Sequence, residues 1–283
     1  MATIESVGGF KATLYRIEFN GESREGESVL LEFVDPTACK AVVSSKAVEA
    51  MPEEQRGPAY DVLEVLAVAR DGKDDSQWRK DLRSLLEPPS PDRAVPILLA
   101  KVEDVLVSWR PGRAVVQAPP QRMEFVLPAL AEFAYYEGQL RRLEDEIAAA
   151  WPDAHADAPV ASQASQLDAR QRQEVCRRMT DVFQRRIRHV RIESHLYEPD
   201  EALSPVGQQL GEALREKAGV EDRLESIDGK LEVFEYLYEL AVQRVSDHTQ
   251  YSHGMIVEVA IVVLLLFEVG LMVLECYFSW FAE

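Results

Sequence analysis

The chain has 283 residues, of which 47% are hydrophobic and 28% are charged, so it suits one or two globular units with an extended part. Its 49 acidic and 31 basic residues give a net charge of −18, which argues against a general nucleic-acid binder because phosphate binding needs a basic surface. The three cysteines lie far apart without a CxxC pair, which disfavours a disulfide framework or a zinc site and favours a reducing compartment. We find neither a secretory signal nor a mitochondrial transit pattern in the first residues.

Residues 1–120 predict a small α+β domain. Alternating apolar side chains are typical of strands, and they occur in five runs, residues 11–19, 28–34, 97–101, 104–109 and 114–117. Residues 61–70 suit either a strand or a buried helix. Residues 75–86 have the spacing of an amphipathic helix, which ends at the proline-rich linker 87–92.

The last two predicted strands form a hairpin, because Pro111 and Gly112 between them are typical turn residues. This domain has no Gly-rich loop after a strand, no HExxH motif and no GxSxG motif. We therefore expect no enzyme, no cofactor and no metal site, and we identify no small-molecule substrate.

Residues 121–200 predict a helical hairpin. Its first helix begins at Pro128 and has apolar side chains three and four residues apart, which favours packing on another helix. Residues 152–166 are rich in Ala, Pro, Asp and Ser and predict a flexible loop. Asp168 caps the second helix, which runs to about Tyr197.

The second helix reverses the charge of this acidic chain, because it carries a concentration of arginines. One interpretation is a face for an anionic partner such as lipid headgroups, RNA or an acidic protein. The interpretation we favour is ion pairing with the acidic helices before and after it, since carboxylates are plentiful there. The face consists of Arg177, Arg178, Arg185, Arg186 and Arg188.

Residues 204–253 predict one long amphipathic helix with coiled-coil spacing. Ser204 and Pro205 are typical of the N-cap and the first helical position. Apolar side chains then repeat at three and four residues toward the C-terminal segment, which favours long antiparallel helices or a coiled coil. We expect a bend or break near residues 252–254.

Residues 254–282 predict a single transmembrane helix. Residues 255–281 contain no Lys, Arg, Asp, Asn, Gln or Pro, and as a helix they exceed the roughly 30 Å hydrocarbon core of a bilayer. A span in this position is typical of a tail-anchored, single-pass protein. Basic residues precede the span and none follows it, which predicts that the bulk of the chain is cytoplasmic, or in the mitochondrial equivalent. A buried helix of a soluble protein is the alternative.

Three carboxylates interrupt the apolar segment, at Glu258, Glu268 and Glu275. Around a helix, the last two are about 20° apart and the first lies within about 100° of both, so they form one polar stripe. Protonating an ordinary Glu at neutral pH costs about 3.7 kcal/mol, so Glu268 near the middle needs a partner or a proton. We expect the stripe to contact other copies in a homo-oligomer. The alternative is an oligomeric cation channel or transporter with a Glu-lined path.

Three stretches resemble a known family. Residues 125–147 (FVLPALAEFAYYEGQLRRLEDEI) and 220–240 (VEDRLESIDGKLEVFEYLYEL) are similar to its first and penultimate helices. Residues 253–271 (HGMIVEVAIVVLLLFEVGL) are similar to its closing membrane helix, with Glu258 and Glu268 at the family's spacing. The family is named Required for Meiotic nuclear Division, formerly a domain of unknown function, and the resemblance covers a little over half of the chain.

The resemblance implies a membrane-anchored homo-oligomer without catalytic activity. It implies a bacterial inner membrane or, by analogy, the mitochondrial inner membrane, where a eukaryotic member supports translation by holding ribosomes. Taken together, we expect a non-enzymatic, self-associating scaffold at the lipid bilayer, with a ribosome or another membrane-associated assembly as a partner.

Overall fold

The computed structural model describes residues 12–20, 28–46, 60–68, 96–162, 169–198 and 200–281. The chain divides into two compact units. The first unit comprises Met1–Ala149 and Arg185–Lys230, and the second comprises Ala150–Gln184 and Leu231–Glu283. The first unit contains the sheet, and the second contains the apolar C-terminal segment.

A mixed sheet of 7 strands forms the N-terminal part of the first unit. The strands lie in the order β2-β3-β1-β4-β7-β6-β5, and every neighbouring pair is antiparallel except β4 and β7. In chain order they are β1 (Ala12–Asn20), β2 (Ser28–Phe33), β3 (Cys39–Lys46), β4 (Val62–Val68), β5 (Leu98–Val102), β6 (Val105–Arg110) and β7 (Arg113–Gln117).

Within residues 61–70, which suited a strand or a buried helix, Val62–Val68 form the central strand β4. Six of its seven residues are buried, so its pattern lacks the alternation of a strand with one solvated face. The five runs predicted as strands are strands in the structure, within one or two residues at each end. Strand β3 was not predicted from the sequence. The predicted helix 75–86 and linker 87–92 lie outside the described residues.

Helix α1 (Met123–Ser162) packs on this sheet through aromatic side chains. The ring of Phe133 meets that of Trp109 edge-on at a centroid distance of 4.9 Å, and Tyr135 stacks on Phe33 at 4.1 Å. Both contacts bury large apolar rings, the main favourable term in such a core. The α+β class is therefore confirmed.

The predicted flexible loop at 152–166 is wrong for residues 152–162, which continue α1. Proline in a helix interior costs about 3 kcal/mol, but the alanines here favour helix and contacts within the second unit hold the segment. Asp157 accepts a hydrogen bond from the Tyr238 hydroxyl at 2.9 Å, and the Trp151 ring lies 5.3 Å from that of Phe234. Residues 163–168, including the predicted cap Asp168, lie outside the described residues.

Three further helices follow, α2 (Ala169–Tyr197), α3 (Pro205–Ala218) and α4 (Val220–Phe281). The predicted start of α3 is confirmed, because the Ser204 hydroxyl accepts a hydrogen bond from the Gly207 amide at 3.1 Å and Pro205 opens the helix. Pairing as a coiled coil stays a prediction.

The single helix predicted over 204–253 is wrong, because the helix is interrupted at Gly219. This glycine has a φ of 58° and ends α3 in the left-handed conformation, which lacks the steric penalty only for glycine. A break near residues 252–254 is also wrong, since α4 continues through them for a total of 62 residues, whereas a bend there stays a prediction. Glycine inside a helix costs only about 1 kcal/mol, too little to interrupt it.

Replacing Gly219 with alanine tests this break. The Gly219→Ala variant should lose about 1 kcal/mol of unfolding free energy, because alanine is strained at positive φ although nothing lies within 4 Å of the new Cβ. Gly229→Ala is the matched control: nothing lies within 4 Å there either, but the position is helical, so stability should rise by up to about 1 kcal/mol. Urea unfolding measures the change in unfolding free energy of both variants. If both changes have the same sign, the left-handed conformation of Gly219 is contradicted.

Candidate functional site

The described residues contain one segment that is long and apolar enough to cross a membrane, Met255–Met272 of α4. Its 18 residues have a mean hydropathy of 2.6, and none of them is buried in the structure. As a helix the segment is about 27 Å long, close to the thickness of the hydrocarbon core. Its unburied surface distinguishes it from the core helix of a soluble protein.

Two of the three predicted membrane carboxylates, Glu258 and Glu268, lie within this segment, and both are exposed. Ten positions separate them, so they are about 80° apart around the helix and about 15 Å apart along it. The side chain of Glu275 lies outside the described part of the chain. A carboxyl group in hydrocarbon must be protonated or paired. In a bilayer, the exposed Glu268 would therefore need a proton or a polar partner.

The predicted arginine face divides between the two units. In the first unit, Arg186 forms an ion pair with Asp228, whereas Arg188 and Arg185 both face the carboxylate of Glu146. Each of these arginines is therefore next to a carboxylate of a neighbouring helix.

In the second unit, Arg178 pairs with Asp157 and also with Glu174 at 3.0 Å. Arg177 pairs with Glu174 at 2.6 Å and with Asp181 at 3.1 Å. The hydrogen bonds from both arginines lower the pKa of Glu174 to about 2. Use of these arginines by an anionic partner stays a prediction, and such a partner has to compete with these carboxylates.

A buried ion pair that links α1 and α4 was not visible in the sequence. Glu137 of α1 is only 1% exposed, and both of its oxygens lie within 3.0 Å of the Arg223 guanidinium. Arg223 also binds Glu144 at 2.7 Å, and Arg141 binds Glu137 at 2.6 Å. The two carboxylates raise the pKa of Arg223 against the opposing effect of its burial. This network ties the first turn of α4 to α1.

A cleft of about 650 Å³ lies in the first unit, where α3 turns into α4. Arg215 of α3 lines this cleft although the residue is only 9% exposed. Burial lowers the pKa of Arg215, despite the nearby carboxylates of Glu132 and Glu212. The cleft is lined by Leu196, Tyr197, Pro205, Gln208, Gln209, Glu212, Arg215, Glu216, Gly219, Val220, Glu221, Asp222 and Leu224.

Glu132 of α1 is a second buried charge near Arg215. It is 3% exposed, and its Oε1 atom accepts a hydrogen bond from the Asp200 amide at 2.9 Å. Its Oε2 atom has no hydrogen-bond partner within the described part of the chain. Burial raises the pKa of Glu132 in spite of the positive charge of Arg215.

Possible metal ligands and thiols are present only singly or in pairs among the described residues. These residues contain no group of three or more His, Cys, Asp or Glu side chains that could hold a metal ion, and Cys39 and Cys176 are free.

No family model matches the chain, and no curated protein matches it. The family resemblance given above therefore stays a prediction from the three quoted stretches.

Removing Arg223 tests the buried network. Arg223→Met should lower the free energy of unfolding by about 3 kcal/mol, because it leaves Glu137 buried with Arg141 as its remaining partner. Arg177→Met is the matched control, since the Arg177 side chain is 62% exposed and solvent screens its ion pairs, so its loss should be much smaller than that of Arg223→Met. Chemical denaturation in detergent measures both losses. Similar losses for the two variants contradict the special role of Arg223.

Proposed function

We propose that this chain is a membrane-anchored, self-associating scaffold without enzymatic activity. Its bulk lies on the cytoplasmic side, and α4 crosses the bilayer once. The observation that carries the proposal is the unburied apolar segment Met255–Met272, because an 18-residue surface of this hydropathy is costly in water.

The apolar segment belongs to a longer helix. This helix, α4, begins at Val220 and includes the apolar segment without an interruption of its secondary structure. We propose that α4 is the part of the scaffold that enters the membrane.

Self-association is supported by Glu268. It lies in the apolar segment and is exposed in the single chain, and hydrocarbon is a poor environment for a carboxyl group. The described residues provide one candidate span, and we propose that a polar partner for Glu268 within the bilayer comes from another chain. A protonated or water-bridged Glu is then a polar contact between helices of a homo-oligomer.

The orientation and the partner are proposed from sequence. Arg244 and two histidines precede the span, and short basic flanks stay on the cytoplasmic side. The family resemblance favours a bacterial inner membrane or the mitochondrial inner membrane, with a ribosome or another membrane-associated assembly held there.

A second candidate is an oligomeric cation channel with a Glu-lined path. It is favoured by the position of Glu258 and Glu268 on one side of the helix, about 80° apart. In an oligomer these positions become rings of carboxylates at two depths. Rings of this kind are typical of cation pores.

Substitution of Glu268 separates the two functions. Glu268→Leu should weaken self-association about three- to thirtyfold, the range for one polar contact between membrane helices. Val262→Leu, an apolar change in the same exposed segment, is the control and should leave association unchanged. Light scattering of the detergent-solubilised particle gives its mass, and a dye assay in liposomes gives cation flux. An unchanged oligomer together with altered flux contradicts the scaffold and supports the channel.

A further inference from the structure

Residues 231–241 of α4 have apolar side chains on two sides of the helix. One side is buried, and it consists of Leu231, Phe234, Tyr238 and Ala241. The other side is accessible: Val233 is 53% exposed and Tyr236 is 71% exposed, whereas Leu237 and Leu240 are half-buried. These four accessible residues form the outer face of α4, which lies in the second unit together with the apolar segment Met255–Met272.

The outer face has the spacing of a surface that packs on another helix. Tyr236 and Leu237 follow Val233 by three and four residues, and Leu240 follows it by seven, which is one heptad. The inner side of the same helix is already packed, and the described residues leave the outer face accessible to water. Exposed apolar surface costs about 25 cal/mol per Å², so covering this face is favourable.

The outer face is in register with Glu268 of the apolar segment. Five heptads separate Glu268 from Val233, and four separate it from Leu240. Helices that pair along a heptad path therefore bring the outer face and Glu268 to the same side of the pair. The heptad positions between them are polar, so the outer face and Glu268 are two separate contacts. These polar positions are Gln243, Asp247 and Gln250.

A shared bilayer determines how two copies of the chain meet. Copies whose α4 enters the membrane in the same direction have parallel helices, with equivalent residues at the same height above the bilayer. The outer face of one copy then lies level with the outer face of the next. This arrangement also suits the charges beside the face. Glu239 and Arg244 are exposed and five residues apart, the spacing of ion pairs between parallel paired helices.

We propose that the outer face of α4 pairs with the outer face of a second copy, in a parallel helix contact outside the bilayer. Val233 and Leu240 each meet the equivalent residue of the second copy, and Tyr236 covers the contact between them. Arg244 also has an interaction within its own chain, so its pair with Glu239 is a smaller contribution than the apolar contact. The inference rests on the proposed self-association and names its surface in the second unit.

A lipid surface suits the outer face less well. Glu232 and Glu239 are exposed beside it, and anionic headgroups repel carboxylates. A second copy brings an apolar surface of the same shape, and it brings Arg244 to Glu239. The second copy is therefore the occupant that matches both the apolar residues and the charges.

Disulfide cross-linking of the full chain in liposomes tests the contact. The three native cysteines are replaced with alanine, and one cysteine is introduced by Val233→Cys or by Leu240→Cys. A disulfide joins Cα atoms about 4.4–6.8 Å apart, so mild oxidation should convert most of either variant to a covalent dimer. Val242→Cys is the matched control. It is half-buried like Leu240 but lies about 200° further around the helix, so it should give about tenfold less dimer.

A mixture of the two cysteine variants tests the orientation. Antiparallel helices place position 233 of one copy opposite position 240 of the other, whereas parallel helices place equivalent positions together. A purification tag on one variant makes the mixed dimer distinguishable by its size on a gel. Dimers between equivalent positions should outnumber mixed dimers.

Lysines on the outer face test its contribution to self-association. The variant Val233→Lys, Tyr236→Lys should weaken self-association at least about tenfold, because it removes apolar contacts and places like charges opposite each other. The control Glu212→Gln, Glu216→Gln changes the net charge equally at exposed positions of the first unit, so it should leave self-association unchanged. Light scattering of the detergent-solubilised chain over a dilution series measures both effects. Circular dichroism checks that both variants are folded.

The outcomes separate this inference from the proposed function. An oligomer whose Val233→Cys and Leu240→Cys variants give no more dimer than Val242→Cys overturns the outer-face contact and leaves the scaffold proposal standing. A monomeric full chain overturns both and leaves the outer face to a different protein. A majority of mixed dimers, or equal weakening by the charge control, also overturns the contact. Dimers at position 240 that persist in the Glu268→Leu variant support the outer face as a contact of its own.

Discussion

The ion pair between Arg223 and Glu137 fixes the start of the long helix α4 in the first unit. A carboxylate that is 1% exposed is stable only if its charge is matched, and the guanidinium matches it with two hydrogen bonds of 2.8 and 3.0 Å. Arg223 lies one turn after the break at Gly219. The pair therefore anchors the new helix immediately after the chain has changed direction.

The helix that starts at this ion pair also contains the apolar segment. The turn at Gly219 borders the cleft of about 650 Å³, and Met255–Met272 lies further along α4. The proposed membrane function rests on the hydropathy and exposure of Met255–Met272.

Local sequence signals predicted much of this fold. Alternation of apolar residues located most of the strands, and the Ser204-Pro205 pair located the start of α3, because both signals depend on neighbouring residues. Strand β3 was missed, since its residues CKAVVSSK are only partly apolar and are held by pairing with β1 and β2. Residues 152–162 were mistaken for a loop because the contacts of Asp157 that hold the helix come from distant parts of the chain. The same reason applies to the candidate sites. Hydropathy reveals the candidate span directly, whereas the burial of Arg215, Glu132 and Glu137 depends on packing between helices.

The central claim is that α4 integrates this protein into a membrane, and alkaline extraction tests it most directly. The full chain, reconstituted into liposomes, is washed with sodium carbonate and floated on a density gradient beside a variant that lacks residues 255–281. We predict that the full chain floats with the lipid after the wash and that the shortened variant stays in the aqueous fraction with the same circular dichroism per folded residue. Release of the full chain by carbonate would contradict a transmembrane helix and leave the apolar segment as a contact surface for another protein.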